Sequence, residues 1–221
     1  MFDSIVKLDM SVKNADNRSM AGIKQFDEDA VLERAMHVFW RRGYGATSMQ
    51  ELAHATGVLR GSLYNAYGDK QAIFLLAFAR YQRRYLETVR EHMQHDDPVV
   101  ALRAYFAYVI ASMSELAPAL DDTAAPRTRG CLTTKIATDE TAMEEPVRNA
   151  LRTMLGGLAQ VLEERLSAPD ALQRLALAPP DAARLLVTFT RGNVVMERLD
   201  HGPEQLQATA ESLIQLLFKP A

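Results

Sequence analysis

The chain has 221 residues, 48% of them hydrophobic, with 11 glycines, 9 prolines, one cysteine and a formal net charge of −3. Sparse glycine and proline beside long Ala, Leu, Glu and Arg runs predict an all-α protein with a core large enough for one large or two modest domains. The charge excludes a nonspecific polycation and one cysteine excludes an internal disulfide framework. The lack of a bilayer-length apolar run and of a leader pattern predicts a cytoplasmic chain with no membrane partner.

Residues 1–24 mix Asp, Asn, Lys and Ser without a period and read as a mobile tail. Asp27 is the expected cap of a first helix, with Phe26 and Val31 at staple spacing and Val31, Ala35, Val38 and Phe39 facing inward. Arg41 and Arg42 suit its last turn, Gly43-Tyr44-Gly45 stops it, and Trp40 is read as packing. Ser48 followed by Glu51 is a capping-box pattern, and Gly57 ends the helix that it opens. A third helix is predicted over about 60–67. Two short helices joined by a glycine-bearing turn form a helix-turn-helix, whose second helix enters a DNA major groove. The same spacing occurs in helical hairpins that touch no nucleic acid. Charge favours the first reading: residues 30–95 carry nine Lys or Arg against five Asp or Glu, a net of +4 in an acidic chain.

Leu63 and Tyr67 are four apart and should pack inward, which leaves Arg60, Gly61, Ser62, Tyr64 and Asn65 for the groove. Arg60 has the fork that reads guanine, Asn65 suits adenine or a phosphate, and Gly61 permits close approach. Thr47 and Ser48 sit at a helix start, where hydroxyls cap and can meet a phosphate. Lys70 in the first turn of a fourth helix opposes the helix dipole and makes sense beside a phosphate.

These residues resemble the DNA-binding domain of the TetR family of bacterial repressors. The matching pieces are Phe26-Asp27, HVFWRRGY over 37–44, TSMQELA over 47–53, Gly57-Val58 and GSLYNAYGDK over 61–70. The resemblance covers about a fifth of the chain. It implies a ligand-responsive regulator with a helix-turn-helix domain at 25–70 and an effector-binding and dimerisation domain at 71–221, about nine helices in all. It also implies a homodimer on palindromic double-stranded DNA, phosphate contact by Thr47 and backbone or thymine contact by Tyr64. A basic N-terminal arm, here Lys13, Arg18 and Lys24, touches the minor groove in some members, but Asp3, Asp9 and Asp16 dilute it in this chain. Leu59 departs from the pattern: a small hydroxyl residue usually caps the third helix there, and its loss costs about 1 kcal/mol.

Beyond Asp69, a cap candidate, a fourth helix runs to about His95 and would belong to both domains. Asp96-Asp97-Pro98 breaks the chain before a fifth helix, whose second face holds Tyr105, Tyr108 and Ser112. Residues 117–129 read as a loop, Gly130-Cys131-Leu132 opens a short sixth helix, and a seventh spans 144–166 with Gly156-Gly157 inside it. Pro169 and Pro179-Pro180 bracket a surface connection. The eighth and ninth predicted helices, about 181–199 and 203–218, carry enough apolar surface to complete one core or to pair with their copies. The resemblance favours pairing.

An unidentified small-molecule effector is expected in the second domain. Its candidate walls are Phe78, Tyr81, Tyr105, Tyr108, Val109, Met113, Leu151, Met154, Phe189 and Met196, with Arg129, Lys135 and Arg148 to hold an anionic group. Cys131 is read as structural; the alternative, drawn from similar regulators with a Gly-Cys-Leu at this place, is sensing of electrophiles or oxidants. No zinc, phosphate-loop or serine-elbow motif occurs, and the five histidines form no convincing ligand set, so no catalytic residue, metal or cofactor is expected. A helical enzyme or a structural helical protein is the competing class.

Overall fold

The computed structural model describes residues 26–115, 128–142 and 144–219. The predicted tail at 1–24 and most of the loop predicted over 117–129 lie outside them. Ten α-helices and one 3-10 turn, Glu140–Ala142, occur among these residues. The fold is all-α, as expected. In chain order the helices are α1 Glu28–Arg42, α2 Met49–Thr56, α3 Arg60–Tyr67, α4 Lys70–His92, α5 Pro98–Ser114, α6 Leu132–Ala137, α7 Glu145–Leu166, α8 Pro169–Leu172, α9 Pro179–Glu197 and α10 Pro203–Leu217. The one-turn α8 is the addition to the expected nine, so the two C-terminal helices are α9 and α10. No helix among the described residues is long and apolar enough to cross a membrane.

The helix ends follow from local chemistry. The Asp27 carboxylate accepts from the N–H groups of Asp29 and Ala30 at 3.0 and 3.2 Å. Ser48 and Glu51 complete a reciprocal box: the Glu51 N–H donates to Ser48 Oγ, and the Ser48 N–H to Glu51 Oε2 at 2.8 Å. Gly57 closes α2 at φ 71°, a left-handed conformation that costs a side chain energy. Asp69 and Asp97 cap α4 and α5. Helix α4 ends at His92, three residues earlier than expected, where Met93 closes the last turn onto Val89 and Arg90.

Helix α4 joins the N-terminal helices to the rest. Phe74 is fully buried between Phe39 of α1, Tyr44 and Phe78, with ring centroids 5.1, 5.1 and 5.4 Å away. The series continues through Tyr81 and Tyr85 to Tyr108 of α5, each step 5.9 Å. One apolar core therefore runs from α1 into the body. There α7 packs on α4 and α9, and α10 packs on α5. Gly157 explains one of the two helix-interior glycines: a Cβ there would meet Leu86 at 2.8 Å, so α7 lies very close to α4. Gly156 faces open space, and its cost to the helix is unexplained.

Candidate nucleic-acid interface and body pockets

Helix α3 turns Leu63 fully inward and leaves Arg60, Gly61, Tyr64 and Asn65 on the surface, with Ser62 half-buried. The Arg60 guanidinium lies 5.4 Å from the centre of the Tyr64 ring. A Cβ on Gly61 would meet nothing within 4 Å, so this face is open to a large partner. Ser48 stays exposed while its hydroxyl donates to Glu51 Oε2 at 2.9 Å. Thr47 differs from expectation. It is only 2% exposed, and its hydroxyl donates to Gly43 O at 2.6 Å. It locks the turn after α1 and does not stand at an exposed helix end. The Lys70 ammonium donates to Tyr44 O at 2.9 Å and sits 4.5 Å from the Tyr44 ring centre. One of its three protons thus serves the head itself.

The head is braced by the segment around α6. The Trp40 indole N–H donates to the carbonyls of Arg129 and Gly130, both at 3.1 Å, and the Arg129 guanidinium stacks 3.6 Å over the indole. Lys135 Nζ donates to Trp40 O at 2.5 Å and reaches Arg41 O at 3.4 Å. It thereby caps the negative end of α1. The Gly45 N–H donates to Asp139 Oδ2 at 2.8 Å. Two anion-holding candidates have partners within the chain. Arg129 is engaged by Trp40 and by Glu115 at 2.8 Å, and Lys135 by the α1 carbonyls. Burial and the nearby Arg198 charge lower the Lys135 pKa. Arg148 pairs with Glu145 at 3.3 Å on the surface.

Two spaces lie beyond this brace. An open cleft of about 550 Å³ runs between α1, α4 and α5, over Trp40, Tyr81, Tyr85, Tyr108 and Ser112. Arg80–Asp29, Arg84–Glu33 and Arg129–Glu115 ion pairs line its sides. A second void of only about 20 Å³ lies deeper, among Tyr81, Val109, Met113, Cys131, Met154, Arg191 and Val194. That is room for about one water. The sequence-chosen walls therefore divide. Tyr81 lines both spaces, Tyr108 the cleft, and Val109, Met113 and Met154 the void. Phe78, Tyr105 and Leu151 are packed core and line neither. Phe189 meets Phe106 edge-on at 5.6 Å, and Met196 is exposed on the outside of α9. Choosing walls by apolar spacing selects core positions and cannot tell a packed ring from a pocket ring.

Arg191 is the residue that the spacing missed. It extends from α9 to Cys131, its Nη1 donating to the sulfur at 3.3 Å and to Thr133 Oγ1 at 2.5 Å. Its Nε is buried with no hydrogen-bond partner. The available signal was a lone charge in the otherwise uncharged run 185–196. Cys131 is half-buried, with Sγ 3.0 Å from Thr133 Oγ1. Burial pushes its thiol up, but Arg191, the Thr133 hydroxyl and the Thr134 N–H outweigh that, and the net pKa is lowered. Tyr105, fully buried nearby, is pushed up by burial to about 12. Among the described residues no group of three or more His, Cys, Asp or Glu is placed to hold a metal.

Residues 31–77 match the family model described as bacterial regulatory proteins, tetR family. The transcriptional repressor ComR of Escherichia coli K12 is 36% identical over 88 residues, which are 39% of this chain and 42% of ComR. The match thus spans less than half of that relative. Over the whole chain, a cysteine mutant of the TetR regulator CifR, solved with a 26-bp operator DNA, superposes with a TM-score of 0.73 at 27% identity. It covers 91% of this chain and 100% of that one. Reduced NemR of E. coli has the same fold, with a TM-score of 0.75 at 20% identity over 88% of this chain and 98% of NemR. Head motif and whole-chain architecture agree: residues 31–77 match the tetR family, and the fold of the chain is similar to that of solved TetR regulators.

Proposed function

We propose that this chain is a dimeric, ligand-responsive repressor that binds palindromic double-stranded DNA through its head, residues 25–70, and releases it when a small molecule binds the body, residues 71–221. The observation that carries the reading is the surface of α3. Arg60, Gly61, Tyr64 and Asn65 lie side by side and exposed on the second helix of a helix-turn-helix. Ser48, Ser62 and Lys70 flank them with phosphate-binding chemistry. That CifR was solved with operator DNA supports a DNA-binding reading.

A palindrome requires two heads about 34–36 Å apart, or a multiple of it. The pairing surface is α9 and α10, where Leu185, Val195, Met196 and Leu216 are exposed. The effector site is the cleft over Trp40, Tyr81, Tyr85 and Tyr108, which suits a partly apolar, planar molecule. A ligand there touches α1 and α4 together, so its affinity differs between two head positions, as release requires. In sedimentation equilibrium the protein is expected at about twice its 24.6 kDa chain mass alone, and with two chains added to the mass of a palindromic duplex enriched from a random library. A helical monomer, or no enrichment of any duplex, overturns the proposal.

A second reading, thiol sensing by Cys131, is favoured by the Arg191 contact at 3.3 Å. The guanidinium stabilises the thiolate, the reactive form. Alkylation of Cys131 in the native protein should therefore have a pH midpoint below the usual thiol range. Arg191→Gln should raise that midpoint, because it removes the charge that lowers the pKa. Equal midpoints in both proteins would leave Cys131 structural. A sensor additionally requires wild type to release DNA on electrophile treatment while Cys131→Ser holds it.

A further inference from the structure

We propose that Leu59 is a base-reading residue, whose side chain contacts the C5-methyl group of a thymine next to the base read by Arg60. The inference rests on the DNA-binding reading of α3 and deepens it.

Helices α1, α2, α4 and α5 each begin with an Asp or Ser whose side chain accepts backbone N–H groups, whereas α3, like α6 to α10, has no side-chain cap bond. Helix α3 begins with Leu59, which makes no such bond. The helix forms nevertheless, with the Leu63 N–H donating to Leu59 O at 3.0 Å. The cap position has thus been given to a residue that cannot cap. The side chain is not used inward either. Leu59 is 80% exposed, whereas Val58 before it is half-buried and Leu63 one turn later is fully buried.

A single exposed leucine is ordinary on a protein surface. This one stands at the N-terminal end of the second helix of a helix-turn-helix, the end whose residues meet base edges. It adjoins Arg60, the exposed fork suited to guanine. The apolar feature that a major groove presents is the thymine methyl group, and an aliphatic side chain is its complement. A hydroxyl at position 59 would cap α3 and offer DNA a hydrogen bond, but it would lose this apolar discrimination. Local rules broken without a packing gain mark functional positions.

The test uses full-length protein and the duplex that it enriches from a random library. Each thymine of that duplex is replaced in turn by 2′-deoxyuridine, which deletes the methyl group and keeps every hydrogen bond. One replacement per half-site should weaken wild-type binding on the order of fourfold, as removal of one buried methyl-sized group implies. The same replacement should leave Leu59→Ser unchanged. Leu59→Ser should unfold at the same temperature as wild type or higher, since it regains a cap, so weaker binding is not unfolding. If every uridine duplex affects wild type and Leu59→Ser equally, Leu59 is not a methyl reader while the DNA-binding reading stands. If wild type enriches no duplex, that reading falls and this one with it.

Discussion

Phe74→Ala is expected to destabilise the protein by about 3–5 kcal/mol, the range for emptying a buried aromatic site. The reason is its position. Phe74 is fully buried and meets Phe39 and Tyr44 edge-on and Phe78 in a stack, so one ring joins α1, the turn after it and α4. Each such ring pair contributes roughly 0.5–1.5 kcal/mol beyond area burial. The loss should appear as a lower midpoint in guanidinium unfolding. Because this ring closes the core of α1 onto α4, operator binding should weaken even at temperatures where α7, α9 and α10 remain helical. A variant with wild-type midpoint and binding would mean that the head does not depend on this cluster.

Arg60→Ala is expected to leave stability within about 0.5 kcal/mol, as for other surface positions. Among the contacts described for it is only the Tyr64 ring, at 5.4 Å. Its discrimination between operator and scrambled duplex should fall by roughly 1–3 kcal/mol, the value of one bidentate base contact. Lys70→Ala should behave differently, weakening all duplexes alike and flattening the salt dependence. It should also lower the melting temperature, because Lys70 Nζ holds Tyr44 O inside the head. Titrations of both variants against both duplexes at several salt concentrations separate the two roles. Equal losses on operator and scrambled DNA for Arg60→Ala would remove it from the base-reading face.

Much of the fold was legible in the chain because its signals are local. The caps at Asp27, Ser48 and Asp69, the stop at Gly57 and the inward positions Leu52 and Leu63 depend on residues within one or two turns of each other. The exposed face of α3 follows from the same periodicity by subtraction. Thr47 was misread because its partner, Gly43 O, lies behind it in the preceding turn, while the capping pattern looks only forward. The short α8 was missed because one turn of helix has no period.

The body's chemistry depends on contacts between residues far apart in sequence, which spacing does not encode. Lys135 is 95 residues from the Trp40 carbonyl that it caps, and Arg191 is 60 residues from the Cys131 sulfur that it holds. In the sequence each is one more cation with an open fate. Only the packing of α6 on α1, and of α9 beside α6, decides that these charges brace the head and the thiol. By itself the chain determined its helices other than α8, its helix-turn-helix and its α3 surface, because these follow from propensity, capping and a 3.6-residue period. Tertiary structure alone decided which aromatic side chains line a cleft and which fill the core, because both kinds satisfy the same apolar spacing.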